Sequence, residues 1–341
     1  MQSTRPRLGG RRYCAPMQAI LAVTVPFFAL VLGGYLAAQG RVLPESAIPG
    51  LNAFVLYFAL PCLLFRFGAG MPVLQLLDPL VLAVYLPVAG LMIVFTLATT
   101  RAQEASLKDA AFGALVGAFP NTGFMGVPLL VALLGAQAAG PVICTVLVDL
   151  FFTSSVCIAL AQARKGGRDG AAGTGAAVLK GLRGALSNPL PWAIALGVLA
   201  SAVGARLPGP LDSVVRMLAD AASPVALFTI GAVLWRGGQH AHSRTPWARF
   251  MPVALTKLVV HPLLVALACL FVQRLGAPLA PFTAMVLVLA AALPSASNVA
   301  ILAERYGADN GRVARIILAS TVLSFASFSL LAWGYGVRPA G

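Results

Sequence analysis

The chain has 341 residues, of which 59% are hydrophobic and only 10% are charged. Because a soluble domain usually carries about 25% charged residues, this composition excludes a soluble globular protein and indicates a polytopic membrane protein. The formal net charge of +14 does not indicate nucleic-acid binding, because the basic residues stand in short gaps between apolar runs rather than in a solvated cluster with aromatic side chains.

Residues 1–16 form a basic N-terminal tail in front of the first apolar run. That run is long enough to cross a bilayer, and no small-residue cleavage site follows a short apolar core, so a cleavable signal peptide is not predicted. Met17 directly precedes the run and is a second candidate start of the native chain.

A helix needs about 20 apolar residues to cross the hydrocarbon core of a bilayer. By this criterion the sequence predicts an all-α polytopic membrane protein with ten transmembrane helices. The predicted spans cover residues 17–38, 49–67, 76–98, 109–134, 139–163, 189–206, 211–235, 250–272, 279–304 and 313–335.

The longest polar interval, residues 164–188, separates the first five spans from the last five. We therefore predict a first five-helix repeat at 17–163, a linker at 164–188, a second repeat at 189–335 and a short C-terminal tail at 336–341. An odd number of spans per repeat inverts the second repeat in the membrane, which is the arrangement of many secondary transporters.

Prolines recur at matching places in the two halves. Pro61 and Pro224 lie in the second and seventh spans, and Pro120 and Pro294 lie in the fourth and ninth. Proline removes a backbone donor and clashes with the preceding turn, so all four are predicted helix breaks. In the fourth and ninth spans, polar residues follow the proline at once.

Most Lys and Arg residues outside the N-terminal tail fall into the loops on the side of the linker. The positive-inside rule then places both termini outside and the linker 164–188 in the cytoplasm. Four arginines in the N-terminal tail disagree with this orientation.

The two polar breaks predict an anion site near the middle of the bilayer. The N-terminal ends of half-helices carry partial positive charge and free N–H groups, which favour an anion. A proline kink whose Asn and Ser residues only cap backbone groups is the alternative. The candidate substrate-binding residues are Asn121, Thr122, Gly123, Ser295, Ser297 and Asn298 at the breaks, with Asn52 and Ser223 in the second and seventh spans.

Two ionisable residues lie deep in predicted spans, Asp149 in the fifth and Lys257 in the eighth. Such residues usually face a cavity or a partner, so both are candidates for coupling transport to H⁺ or Na⁺. A hydrogen-bonded carboxyl between helices remains open for Asp149, as does snorkelling to the interface for Lys257. Arg216 and Asp220 are predicted to pair across one helical turn.

Four segments resemble the auxin efflux carrier family, in particular its bacterial malate and malonate permeases. The segments are LNAFVLYFALPCLLF (51–65), FPNTGFMGVPLL (119–130), SPVALFTIGAVL (223–234) and LPSASNVAILAERYG (293–307). The resemblance implies inverted repeats, crossing broken helices 4 and 9, elevator-type alternating access and a carboxylate held by Asn121. The sequence PSASN in the ninth span departs from the plant pattern, and the short linker favours the bacterial branch in an inner (plasma) membrane.

The sequence thus predicts a secondary active transporter of small organic anions, mono- or dicarboxylates, that acts in a lipid bilayer as a homodimer. A sodium-coupled carrier of the bile-acid symporter type, a channel and an intramembrane enzyme are the alternatives. No catalytic motif such as HExxH, no CxxC pair and no cofactor or metal motif is present in the sequence, so an enzyme is not predicted.

Overall fold

The computed structural model describes residues 14–71, 78–163, 186–239 and 245–339, together with Leu179 and Arg183. The N-terminal tail up to residue 13 and most of the predicted linker 164–188 lie outside the described residues. Within the described part every regular element is a helix, and the single β-type contact is an isolated bridge between Pro120 and Ser295.

The described residues form twelve helices, which we number in chain order. They are α1 (Cys14–Gln39), α2 (Ala47–Gly70), α3 (Pro79–Arg101), α4 (Leu107–Ala118), α5 (Thr122–Leu134), α6 (Ala136–Gln162), α7 (Pro189–Ala202), α8 (Gly209–Gln239), α9 (Trp247–Arg274), α10 (Pro281–Ala291), α11 (Asn298–Tyr306) and α12 (Asn310–Gly334).

Seven helices of the described part are long and apolar enough to cross a membrane, namely α1, α2, α3, α6, α8, α9 and α12. Helices α5, α7 and α10 are shorter apolar helices. The prediction of an all-α polytopic protein therefore agrees with the structure, whereas three of the ten predicted spans are not single long helices. The fourth span is divided into α4 and α5, the ninth into α10 and α11, and the sixth is the 14-residue α7.

Two of the four predicted helix breaks are wrong. The chain stays helical through Pro61, which follows a π-helical turn at Val55–Ala59, and through Pro224 in the interior of α8. A π-helical turn also precedes Pro262 in α9, at Thr256–Val260. A wider turn accommodates the proline ring and the missing backbone donor without ending the helix.

The helices pack in two groups. Helices α1 and α8 pack closely along their length, as do α2 and α7, and α2 also contacts α8; we call these the four-helix group. Helices α3 to α6 and α9 to α12 pack mainly on one another and form the crossover group. Contacts of α12 and α5 with α1 and α8 join the two groups.

Glycines allow the close packing inside the four-helix group. A Cβ atom on Gly34 of α1 would lie 1.8 Å from the carbonyl oxygen of Phe228 in α8, and one on Gly197 of α7 would lie 2.3 Å from that of Phe65 in α2. Lipid chains are as apolar as the helices, so close backbone contact through small residues, rather than hydrophobic burial, stabilises helix pairs in a membrane.

Candidate functional site

The two helix breaks meet inside the crossover group. The backbone N–H of Asn121 donates to the carbonyl of Pro294 at 2.8 Å, and the N–H of Ala296 donates to the carbonyl of Phe119 at 3.0 Å. We call residues 119–121 and 292–298 together the crossover. Backbone groups freed by each break are thus satisfied by the other break, which removes much of the penalty for a broken helix in hydrocarbon.

Three polar side-chain atoms at the crossover are buried without a hydrogen-bond partner among the described residues. They are Oδ1 of Asn121, Oγ of Ser295 and Oδ1 of Asn298. Asn121 is 2% exposed and Ser295 is 1% exposed. Buried polar groups are usually paired in native proteins, and the crossover brings together three of the buried side-chain atoms in the described residues that are not. Asn amides and Ser hydroxyls offer donors as well as acceptors and can bind an oxyanion.

Other candidates at the breaks contribute backbone geometry. Thr122, which begins α5, is fully buried and lies 3.5 Å from the Pro120 carbonyl through its Oγ1, while Ser297 is buried in front of α11. Gly126 allows close approach of the two breaks, since a Cβ there would lie 2.6 Å from Cδ1 of Leu293. A Cβ on Gly123 would meet no atom within 4 Å, so the space beside this residue is open.

A pocket of about 550 Å³ lies next to the crossover, between α2, α8 and α11. Its volume is in the range of small-molecule sites. Two of the predicted residues, Asn52 and Asn298, line it together with Phe124 and Ser154. Asn121, Thr122, Gly123, Ser223, Ser295 and Ser297 are not part of its lining. Asn298 therefore belongs to both the crossover and the pocket.

The pocket also includes the end of α8 and the last residues of the predicted linker 164–188. Ser187, Asn188 and Arg305 contribute to its lining. Arg236 of α8 lies 3.7 Å from Glu45, which precedes α2, and 3.6 Å from Glu304 of α11. Two acidic side chains from different parts of the chain are thus held by one guanidinium group.

Asp149 and Lys257 lie in a second polar cluster, and neither residue lines the pocket. Both are fully buried. The Tyr85 hydroxyl donates to Oδ2 of Asp149 at 3.1 Å, and the Thr153 hydroxyl donates to Oδ1 at 3.0 Å. Lys257 donates to the carbonyl oxygen of Ala291 at 2.5 Å, so the snorkelling alternative for this lysine is wrong.

Sequence reasoning missed three residues with a place in these sites. Tyr85 lies in an apolar run, where nothing in the sequence indicates a polar role. Arg236 follows an apolar run and looks in the sequence like any other basic residue of a loop. Thr153 lies four residues after Asp149 on the same helix, and this spacing is a signal that could have found it.

Comparison with known proteins identifies the family of the chain. The sequence model of a family described as "Membrane transport protein" matches residues 19–333. A protein of Rhizobium meliloti (strain 1021) named "Putative malonate transporter" is 31% identical over 314 residues, which cover 91% of this chain and 94% of that protein.

Two further relatives carry the name of an uncharacterized transporter. YfdV of Escherichia coli (strain K12) is 25% identical over 317 residues, covering 92% of this chain and 96% of the relative. A protein of Methanothermobacter thermautotrophicus is 28% identical over 320 residues, covering 92% of this chain and 96% of that protein. The family match spans nearly every described helix, including both breaks, and its members are transporters rather than enzymes. The chain therefore belongs to this membrane transport protein family, the auxin efflux carrier family, and is a membrane transporter.

Proposed function

We propose that the protein is a secondary active transporter of small organic anions, mono- or dicarboxylates, that binds its substrate at the crossover. The observation that carries this proposal is the trio of buried, unpartnered polar atoms on Asn121, Ser295 and Asn298. A carboxylate placed among them would receive N–H and O–H donors after rotation of the two amides, whose orientation is not fixed by any hydrogen bond to another described residue.

The helix ends at the crossover favour the same ligand. Helices α5 and α11 both begin directly after a break, at Thr122 and Asn298. The first N–H groups of α5 have no partner within the helix. In α11 the N–H groups of Val299 and Ala300 donate to the carbonyls just before the helix, so this end contributes mainly the positive potential of its helix dipole. Open space beside Gly123 leaves room for a ligand in front of α5. Neutral donors and helix dipoles attract an anion without a buried arginine that would hold it too tightly to release.

The pocket is the proposed route between the crossover and one side of the membrane. It shares Asn298 with the crossover, and Ser187 and Asn188 at the end of the linker also line it. With the orientation that the positive-inside rule favours, both termini lie outside and the pocket opens to the cytoplasm of a bacterial inner membrane. The conformation described here is then the inward-facing one.

Mirrored packing supports two inverted repeats at 17–163 and 189–335. The first span packs on the seventh and the sixth packs on the second, which are equivalent pairs if the halves are repeats. The glycines Gly68 and Gly231 at these contacts each follow the matched prolines Pro61 and Pro224 by seven residues. We propose that the four-helix group is a dimerising scaffold and that the crossover group moves against it as an elevator.

Malonate is the first substrate to test, since one relative carries a malonate transporter's name. The full-length chain would be reconstituted into liposomes and assayed for counterflow of labelled malonate, succinate and acetate. We expect saturable counterflow of at least one of them, and loss of at least about tenfold in apparent affinity for Asn121→Ala and Ser295→Ala, because each removes a substrate hydrogen bond.

Ser324→Ala is the matched control for Ser295→Ala. Ser324 is also fully buried, but its hydroxyl donates to the Thr321 carbonyl of its own helix at 2.8 Å. This variant should transport like the wild type. Full counterflow by both Asn121→Ala and Ser295→Ala would contradict the proposed binding site, and flux that never saturates would indicate a channel.

A further inference from the structure

A buried ionisable cluster lies outside both the crossover and the pocket. Asp149 of α6, Tyr85 of α3, and Lys257 and His261 of α9 are all 0% exposed. Both ring nitrogens of His261 are buried without a hydrogen-bond partner among the described residues, and the ring lies 5.9 Å from that of Tyr85. A buried charge is expensive unless it is compensated, so a carboxylate and an ammonium group at this depth point to a function.

The Asp149 carboxylate is held by hydroxyl donors rather than by the lysine. Tyr85 and Thr153 each donate to one of its oxygens, and the Ser154 hydroxyl donates to its backbone carbonyl at 2.9 Å, within the π-helical turn Asp149–Thr153. Asp149 and Lys257 attract each other electrostatically but form no direct ion pair in the described structure. A proton can therefore bind to Asp149 without first breaking a salt bridge.

Lys257 joins this cluster to the crossover. Its ammonium group donates to the carbonyl of Ala291, the last residue of α10, and the crossover residues follow directly. The C-terminal end of a helix carries partial negative charge, which a cation neutralises. An anion at the crossover would otherwise face this negative end. Lys257 thus balances two negative groups, the α10 terminus and Asp149, and a bound carboxylate would be a third.

We propose that Asp149 binds a proton when a carboxylate binds at the crossover, so that the protein moves H⁺ together with its anionic substrate. The inference rests on the proposed function. Without substrate, Asp149 and Lys257 sum to zero charge. A bound carboxylate adds one negative charge that shares the ammonium of Lys257, and one proton on Asp149 restores neutrality in a medium where an unbalanced charge is costly. One proton is taken up at Asp149 for each substrate molecule bound, and no bond other than O–H forms or breaks.

The same geometry argues against Na⁺ as the coupled ion. Hard cations need several oxygen ligands, whereas both Asp149 oxygens already accept hydrogen bonds and the described residues contain no cluster of three acidic, His or Cys side chains. The other helices packed against α6 are α4, α5 and α10, and they bring no charged side chain near Asp149; Lys108 and Asp109 stand at the exposed beginning of α4. Lys257 already takes the role that a bound cation would have.

The test measures malonate uptake driven by a pH gradient. Wild-type proteoliposomes, with the membrane potential clamped at zero, would receive an outside-acid gradient and labelled malonate, and a trapped pH-sensitive dye would follow proton entry. We expect internal acidification with uptake, up to about tenfold accumulation per pH unit for one H⁺ per malonate, and no change when choline replaces Na⁺. A Na⁺ requirement, or uptake that ignores the gradient, would overturn the inference.

Variants of Asp149 test whether the stimulation of uptake by the pH gradient depends on this residue. Asp149→Asn should lose gradient stimulation, and the charge-balanced Asp149→Asn/Lys257→Met protein should lose it as well, which guards against a single variant that fails to fold. Asp220→Asn is the matched control, because this carboxylate lies on the surface of α8 beside Arg66 and should keep the stimulation. Gradient-driven uptake by either Asp149 variant would refute the assignment. Wild-type counterflow without proton movement refutes only the inference, whereas absence of counterflow for every carboxylate refutes the proposed function and the inference with it.

Discussion

The hydroxyl of Tyr85 connects two helices of the crossover group by a hydrogen bond. Tyr85 lies on α3 and donates to the fully buried carboxylate of Asp149 on α6. Tyr85→Phe keeps the ring and removes the donor, so we expect a loss of about 1.5–3 kcal/mol in stability, the range for a hydrogen bond to a charged group. The midpoint temperature of thermal unfolding in detergent should fall by a few degrees. Tyr35→Phe is the control, since the Tyr35 hydroxyl makes no hydrogen bond among the described residues, and an equal loss in both variants would contradict the prediction.

For charged residues, the sequence predicts whether a side chain is buried better than it predicts the partner of that side chain. The depth of Asp149 and Lys257 was evident from their position in apolar runs, but their partners come from other spans and have no local signal. The predicted pair of Arg216 and Asp220 is wrong: Arg216 bonds Asp212 at 2.7 Å, and Asp220 lies 3.5 Å from Arg66 of α2. An acid four residues before a base is the better orientation on a helix, and this rule favours Asp212 over Asp220.

At the scale of elements, adjacent glycines on α1 have opposite surroundings. A Cβ on Gly34 would meet the Phe228 backbone of α8, whereas one on Gly33 would meet nothing within 4 Å. Gly34→Ala should push α1 and α8 apart and cost about 1–3 kcal/mol, as for overpacked cores. Gly33→Ala should leave stability unchanged or slightly raised, since alanine is the better helix former. The unfolding temperatures of the two variants test this prediction, and equal temperatures would refute close packing at Gly34.

The helix breaks were predictable from the sequence only in part. Pro120 and Pro294 break their helices, and at both sites polar residues follow and the partner break supplies backbone hydrogen bonds. Pro61 follows a π-helical turn that accommodates it without ending the helix, and Pro224 lies within a continuous helix. Proline alone therefore does not decide whether a helix ends. The deciding factor is whether another segment can satisfy the freed backbone groups, and that factor is not local in the sequence.

At the scale of the whole molecule, the apolar runs predicted the all-helical membrane fold but not the two helix groups. Hydropathy measures each helix against lipid and says nothing about its neighbours. The grouping follows from dispersed small residues such as Gly34, Gly68, Gly197 and Gly231, whose roles appear only when partner backbones approach them. The unpartnered polar atoms at the crossover likewise appear only in three dimensions, although their positions after the two prolines were evident.

Arg236 gives a test of motion between these groups. Its ion pair with Glu304 joins α8 of the four-helix group to α11 of the crossover group, whereas its pair with Glu45 stays beside α2 within the four-helix group. All three side chains are partly exposed, and exposed ion pairs contribute about 0–1 kcal/mol, so the contact with Glu304 can break readily during transport.

Cross-linking across this boundary should therefore stop transport. In a background without the native cysteines, Arg236→Cys/Glu304→Cys would be joined by a short thiol-specific linker and malonate counterflow compared before and after the reaction. We expect loss of most counterflow, because an elevator must slide α11 past α8. Arg236→Cys/Glu45→Cys shares one position and a similar distance but lies within one group, so its counterflow should survive the same reaction. Undiminished transport after complete cross-linking of the first pair would mean that the two groups do not move against each other, and the proposed elevator would have to be abandoned.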